Sequence, residues 1–561
     1  MIPPMNLPPH NDPDRPQSDR PNAGTPQGAT AGGGKAVIDH PLPSPFEEDA
    51  PTPDPGSSTS RILALFGAVL LALTAIVWQH LPEDTRIRSL GLTPPPAQQT
   101  GPVVPLLEPT SLYGRMAVKM GPLFAADPNA PDQFIQMMEQ TALTFEDRIA
   151  GAVVLGELET PEAASERLRE LLDEAQNVGT TPPEPETTEA DTAESDAPES
   201  DMPAAPTLPG AISSREDIVR DLTDLRTIYV AGADALDPQA ASRLRTRYTF
   251  FAEVALTHAA GEDTPEYEGP RSGGALIMLG LLASATIAFL AFVIGCVLLV
   301  LGLLRYRPGR EAPRFAPPPI GGSVMLETYA LFVGGFILVS ALGTWLAVKK
   351  PELAIVGLPL QFALMAVVLW PLLRGMSFAR WREAIGLNPD TPGPVGVLKE
   401  IGFGVLAYLA SIPVFVAGVL VTLILVFASG LFRGPTDGPV QPPSNPIVDM
   451  IVSGDWLVIA MLAVMATVWA PITEELVFRG ALYRHLRSRW HWTLAAIVSA
   501  CLFAFMHGYE FIMMTPLLAL GVMFAVMREV RGSVIAAITA HFIHNASLIT
   551  LMVVVIRPML S

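Results

Sequence analysis

The stretch Trp469-Ala-Pro-Ile-Thr-Glu-Glu-Leu-Val-Phe-Arg-Gly480 sets two adjacent carboxylates, Glu474 and Glu475, and one guanidinium, Arg479, into an apolar run. A charge within a membrane span costs at least about 2.5 kcal/mol on the most lenient insertion scales, so groups kept there point to a function by default. The rest of the chain has to account for that cost.

Half of the 561 residues are hydrophobic. They gather in long runs, which calls for a polytopic membrane protein of the all-α class. The runs cover residues 62–78, 274–304, 326–347, 353–373, 403–429, 456–486, 491–507, 511–527 and 533–556. They predict a helix bundle of about nine spans, eight of them after an N-terminal anchor. The formal charge of −19 comes from acids outside the runs and argues against nucleic-acid binding. Cys296 and Cys501 both lie in apolar segments, without metal or redox spacing, and read as packed thiols.

Residues 1–60, rich in Pro, Gly, Ser and Asp, read as a disordered tail. Residues 61–79 read as a signal-anchor span with Trp78 at one interface, beginning too late for a cleavable signal. Residues 80–272 form an acidic, mainly helical insert. Its helix starts are predicted at Thr160-Pro161-Glu162, at Ser214 to Asp217, and at Asp237-Pro238 running towards Ala259. The stretch 180–210, rich in Asp, Glu and Pro and free of basic residues, reads as a solvated linker. The insert carries no catalytic constellation, and its partner is unassigned. Residues 273–324 hold the second span and a basic loop, and 325–561 the remaining bundle.

Orientation follows from the basic loops. Arg305, Arg307, Arg310 and Arg314, then Arg374, Arg380 and Arg382, then Arg484, Arg487 and Arg489 predict cytoplasmic loops, with Lys349 and Lys350 a local exception. The expected protein is a multi-pass protein of the plasma (inner) membrane, with a cytoplasmic N-terminus. The insert, the Pro-rich loop near 431–452 and the C-terminus then fall outside.

Glu475 and Arg479 are four residues apart and become neighbours on a helix. Glu474 points about 100° away and is the better candidate for a carboxylate facing a reaction cavity. Two later runs add polar groups: Phe503-Ala-Phe-Met-His507, and His541-Phe-Ile-His-Asn545. At about 1.5 Å per residue, Glu474 lies about 18 Å, His507 about 24 Å and His541 about 12 Å from their cytoplasmic ends. Helix tilt covers that spread, so the groups are expected to share one polar cavity opening towards the cytoplasm. His544 reads as packing or support, and Pro471 as the cause of a bend before the carboxylates.

Glu-Glu-x-x-x-Arg at 474–479, Phe-x-x-x-His at 503–507 and His-x-x-x-Asn at 541–545 resemble the three motifs of the CPBP family of intramembrane proteases. That family includes the type II CAAX prenyl endopeptidases and bacteriocin-processing or self-immunity proteins. The resemblance covers about residues 325–556, and it implies that Glu474 and His507 activate a water while His541 and Asn545 stabilise the oxyanion. Glu475, Arg479 and Phe503 are then supporting residues. It also implies a membrane-associated peptide or protein substrate.

A neutral amide such as Asn545 suits an oxyanion hole and is an unusual zinc ligand. The expectation is a reaction that needs no cofactor. If a divalent metal such as zinc is present, Glu474, His507 and His541 are its ligands. The sequence has no His-Glu-x-x-His for a zinc protease and no Gly-x-Gly-Asp for an aspartyl one. The competing reading is a non-catalytic scaffold, immunity or transport-associated protein that keeps the motifs as a polar network.

Overall fold

The computed structural model describes residues 52–94, 109–124, 129–142, 144–177, 213–260, 264–306, 313–350, 353, 356–431, 450–451, 454–509 and 511–560. The expected tail up to residue 51, the acidic linker and most of the Pro-rich loop lie outside these residues. Among the described residues there is no strand.

Helix α1, Ser58–His80, opens on a reciprocal cap in which Ser60 N donates to Ser57 Oγ at 3.1 Å and Ser57 N to Ser60 Oγ at 2.8 Å. Its buried face is the small-residue stripe Ala64, Ala68, Ala72 and Ala75, and its larger apolar side chains face outward. Small residues let helix backbones approach closely where lipid supplies no hydrophobic drive. Trp78 turns inward and donates from Nε1 to Ser340 Oγ at 3.1 Å, so the anchor is a member of the bundle.

Residues 52–57, expected in the tail, are held instead: Asp54 takes Arg484 through both oxygens at 3.0 and 3.1 Å, and Ser323 N donates to the Pro55 carbonyl at 2.9 Å. Two charged bonds and backbone pairing outweigh the flexibility that Pro and Gly suggest.

The insert contains α2 (Glu83–Ser89), α3 (Pro109–Met120), α4 (Ala130–Thr141), α5 (Phe145–Leu158), α6 (Pro161–Asn177), α7 (Arg215–Ala231), α8 (Pro238–Tyr248), α9 (Phe250–Leu256) and α10 (Pro265–Arg271). Its own core joins Ile149 and Val153 of α5 to Leu168, Leu171, Leu222, Leu225 and Phe251. Ser214 caps α7 by accepting from Asp217 N, as its sequence predicts. The third predicted helix breaks at Thr249, where φ is 45°, and resumes as α9. Helices α3 to α5 escaped the sequence reading. In α5 apolar residues run almost all round and leave no amphipathic stripe to recognise.

The membrane helices are α11 (Gly274–Arg305), α12 (Val324–Lys349), α13 (Pro359–Leu373), α15 (Pro394–Leu431), α16 (Trp456–Arg487), α17 (Trp492–Phe505), α18 (Phe511–Arg531) and α19 (Ile535–Leu560), with the short α14 (Phe378–Ile385) between α13 and α15. The chain is an all-α polytopic helix bundle. All nine apolar runs are helical, but among the described residues seven helices are long enough to cross a membrane and two, α13 and α17, are shorter.

Pro359, Pro371 and a 3₁₀ stretch over Ala363–Leu369 break up α13. Helix α17 has 14 residues and stops at Phe505. At about 1.5 Å per residue it covers about 21 Å of an approximately 30 Å hydrocarbon layer.

One end of the bundle is a polar layer that joins the helix termini. Arg487 pairs with Glu529 at 2.8 Å, Arg531 with the buried Glu400 at 2.6 Å, and Arg374 with Glu327 at 3.0 Å. Val534 N, at the start of α19, donates to the Gly386 carbonyl at 2.9 Å. At the opposite end the insert grips the last turn of α19. Arg115 donates from Nη1 to the Leu560 carbonyl, and Lys119 from Nζ to the Pro558 carbonyl at 3.1 Å. Two cations on a helix carbonyl terminus satisfy free acceptors and oppose the helix dipole.

Candidate active site

The site is built on an irregular α16. A π-helical turn over Met465–Trp469 and a second over Leu476–Leu482 flank the single α-helical segment Ala470–Glu475. Such turns concentrate at functional sites because they re-aim side chains without ending the helix. Pro471 has no N–H to give back to the preceding turn. In the wider register its partner carbonyl is that of Ala466, and Asn545 Nδ2 of α19 donates to that same oxygen at 2.7 Å. The proline and the amide are therefore one device: the first leaves an acceptor open and the second satisfies it.

Glu475 and Arg479 are fully buried and paired at 3.0 Å from Oε1 to Nη1. Arg479 Nη2 also donates to the Gly521 carbonyl of α18 at 3.0 Å, and its guanidinium lies over the Phe503 ring at 4.4 Å and the Phe524 ring at 5.2 Å. Gly521 is required there: a Cβ would stand 2.8 Å from Ala500 Cβ and 3.3 Å from Arg479 Nη2.

His541 lies between the two carboxylates. Its Nδ1 is 3.0 Å from Glu475 Oε1, and its Nε2 is 3.9 Å from Glu474 Oε2. Its ring stacks on Phe524 at 5.1 Å and meets the edge of Phe503 at 5.9 Å. The Glu474 side chain keeps 20% of its exposure, against none for Glu475, and the Oε2 atom of each is buried without a hydrogen-bond partner. The spacing thus separates the two acids as their sequence predicts, and adds a contact it does not: Glu475 serves His541 as well as Arg479.

His507 stands just past the end of α17 rather than on it. Its Nδ1 donates to the Phe503 carbonyl at 2.8 Å, which leaves Nε2 as the acceptor nitrogen. Its ring meets Phe503 at 4.7 Å. It makes no direct hydrogen bond or ion pair with Glu474 among the described residues. Phe503 touches His507, His541 and Arg479 together and sets their spacing. His544 packs against Tyr408 and Phe415 of α15, away from the carboxylates.

Among the described residues no three His, Cys, Asp or Glu side chains converge as a metal site requires. Glu474 and His541 have donor atoms spaced for a shared ion, but His507 does not complete a set with them. As placed, the three candidate ligands do not form a zinc site.

Residues 456–547 match the family described as type II CAAX prenyl endopeptidase Rce1-like. No curated protein and no solved structure matches the chain. The matched segment runs from the start of α16 to just past Asn545 and so contains every candidate site residue, a narrower span than the motifs alone suggest.

Proposed function

We propose that this chain, whose residues 456–547 carry the match to a CPBP-type intramembrane protease, hydrolyses peptide bonds of membrane-associated proteins or peptides with Glu474 as general base. The observation that carries the reading is the contrast in exposure and pairing: Glu475 is fully buried with its Oε1 held by Arg479 and His541, while Glu474 keeps 20% of its side-chain exposure and faces His541 Nε2 across 3.9 Å.

His541 Nδ1 lies 3.0 Å from Glu475 Oε1, and its Nε2 faces Glu474 Oε2 across 3.9 Å.

In the reaction Glu474 takes a proton from water, with His507 Nε2 as the second acceptor that orients it. The hydroxide attacks the carbonyl carbon of an extended substrate segment. The developing oxyanion accepts from His541 Nε2–H and from the second N–H of Asn545, whose first is spent on Ala466. Glu474 passes its proton to the amine as the C–N bond breaks.

The test compares purified Glu474→Gln and Glu475→Gln in lipid, using a farnesylated CAAX peptide and thermal unfolding. Glu474→Gln should keep its unfolding temperature and lose about 10³-fold in kcat. Glu475→Gln leaves Arg479 buried and unpaired and should lose about 3 kcal/mol of stability. Wild-type turnover by Glu474→Gln would overturn the mechanism.

A further inference from the structure

Because α17 stops at Phe505, no helical turn fixes His507 from its C-terminal side. The backbone turns instead at Gly508, where φ is +69°. What supports this turn is the far end of α1, a helix that lies outside the matched segment 456–547.

Two residues of α1 meet the turn. Gln79 lies so close to Gly508 that an added Cβ would stand 3.0 Å from its Oε1. His80 lies 2.9 Å through Nε2 from the Tyr509 carbonyl and 2.7 Å through Nδ1 from its own helix's Ile76 carbonyl. A carbonyl oxygen only accepts, and a neutral imidazole carries one N–H, so the tautomer decides which of the two contacts is a hydrogen bond. The ring also stacks on Phe511 at 5.2 Å and 14°. That stack does not explain a histidine, since Phe511 is 64% exposed and any flat ring would serve. What the imidazole adds is the Nε2–H bond across the chain to a carbonyl two residues from His507. On its other side the turn sets Tyr509 nearly parallel to the His507 ring, at 9° and 6.5 Å.

We propose that His80 is a positioning residue for His507: its Nε2–H on the Tyr509 carbonyl latches the 506–509 turn to α1. The proposal rests on the protease reading only for its catalytic consequence. The signal anchor is then a working part of the site.

The test exploits amide geometry, because glutamine places its NH₂ near the position of Nε2 and asparagine near that of Nδ1. His80→Phe keeps the stack and loses the imidazole N–H. In the full-length protein in nanodiscs, hydrogen exchange at residues 506–509 and cleavage of a farnesylated CAAX peptide are measured for the Phe, Asn and Gln variants. One hydrogen bond is worth up to about tenfold in a local opening equilibrium. Phe and Asn should raise exchange by about tenfold and lower kcat by a similar factor with KM unchanged. Gln should restore both.

Unchanged exchange in His80→Phe overturns the latch, as does equal behaviour of Asn and Gln. Raised exchange with unchanged kcat overturns the positioning role. If the wild type cleaves nothing while the exchange pattern holds, the protease reading fails on that probe and the latch stands.

Discussion

At the scale of single residues, the pairing of Glu475 with Arg479 was legible in their spacing. An i,i+4 arginine neutralises one carboxylate and leaves the other, and the 3.0 Å pair is the outcome. What spacing cannot report is a contact between helices distant in sequence. His541 bridging both acids became visible only once α19 lay beside α16. That bridge bears on metal dependence. His541 Nδ1 is held by Glu475, which leaves Nε2 towards Glu474, and His507 completes no three-donor set with them. We expect cleavage to survive exhaustive chelation followed by gel filtration, with kcat within about twofold of the untreated enzyme, within the span of a minor perturbation. Loss of activity restored by zinc alone would reverse that expectation.

At the scale of elements, the two π-helical turns of α16 and the short α17 depart most from what hydropathy predicts. Hydrophobic runs mark where a helix lies in the membrane but carry no information on its register or exact end. Hence α17 reads as a span although Gly508 stops it short, and His507 moves from helix to turn. Pro471 was legible as a distortion. Its pairing with Asn545 was not, because it depends on which carbonyl the wider register leaves open. Pro471→Ala should let the helix reclaim that carbonyl and free the Asn545 amide. Stability should hold or rise while kcat falls about 10–100-fold, the usual effect of a misplaced group in a site. Unfolding temperature and kcat measured on one preparation check this. A variant as active as wild type would show that the Ala466 bond does not orient Asn545.

At the scale of the whole molecule, the bundle and its basic end followed from the runs and the arginines. The expected topology, with the N-terminus and basic layer cytoplasmic and the insert outside, remains the proposal those arginines support. The grip of the insert on α19 had no sequence signal, since nothing in the spacing of Arg115 and Lys119 marks them as partners of a distant helix end. Both are buried, and burial lowers Lys119, with Arg115 beside it, from 10.5 to about 8. The folded protein thus binds fewer protons than the unfolded chain between those values, so stability rises with pH across that window and this gain is absent below about 8. Thermal unfolding from pH 7.5 to 10 should show this rise in the wild type relative to Lys119→Met; parallel curves would place Lys119 outside the core of the contact.

The proposed function turns on Glu474 as the base that would make this chain a protease of membrane-associated proteins. Its most direct test compares by mass spectrometry the membrane-protein termini of cells making the wild type, cells making Glu474→Gln at equal abundance, and cells making neither. A set of new termini should appear only with the wild type. Identical termini in all three, or the same new termini with Glu474→Gln, would contradict it.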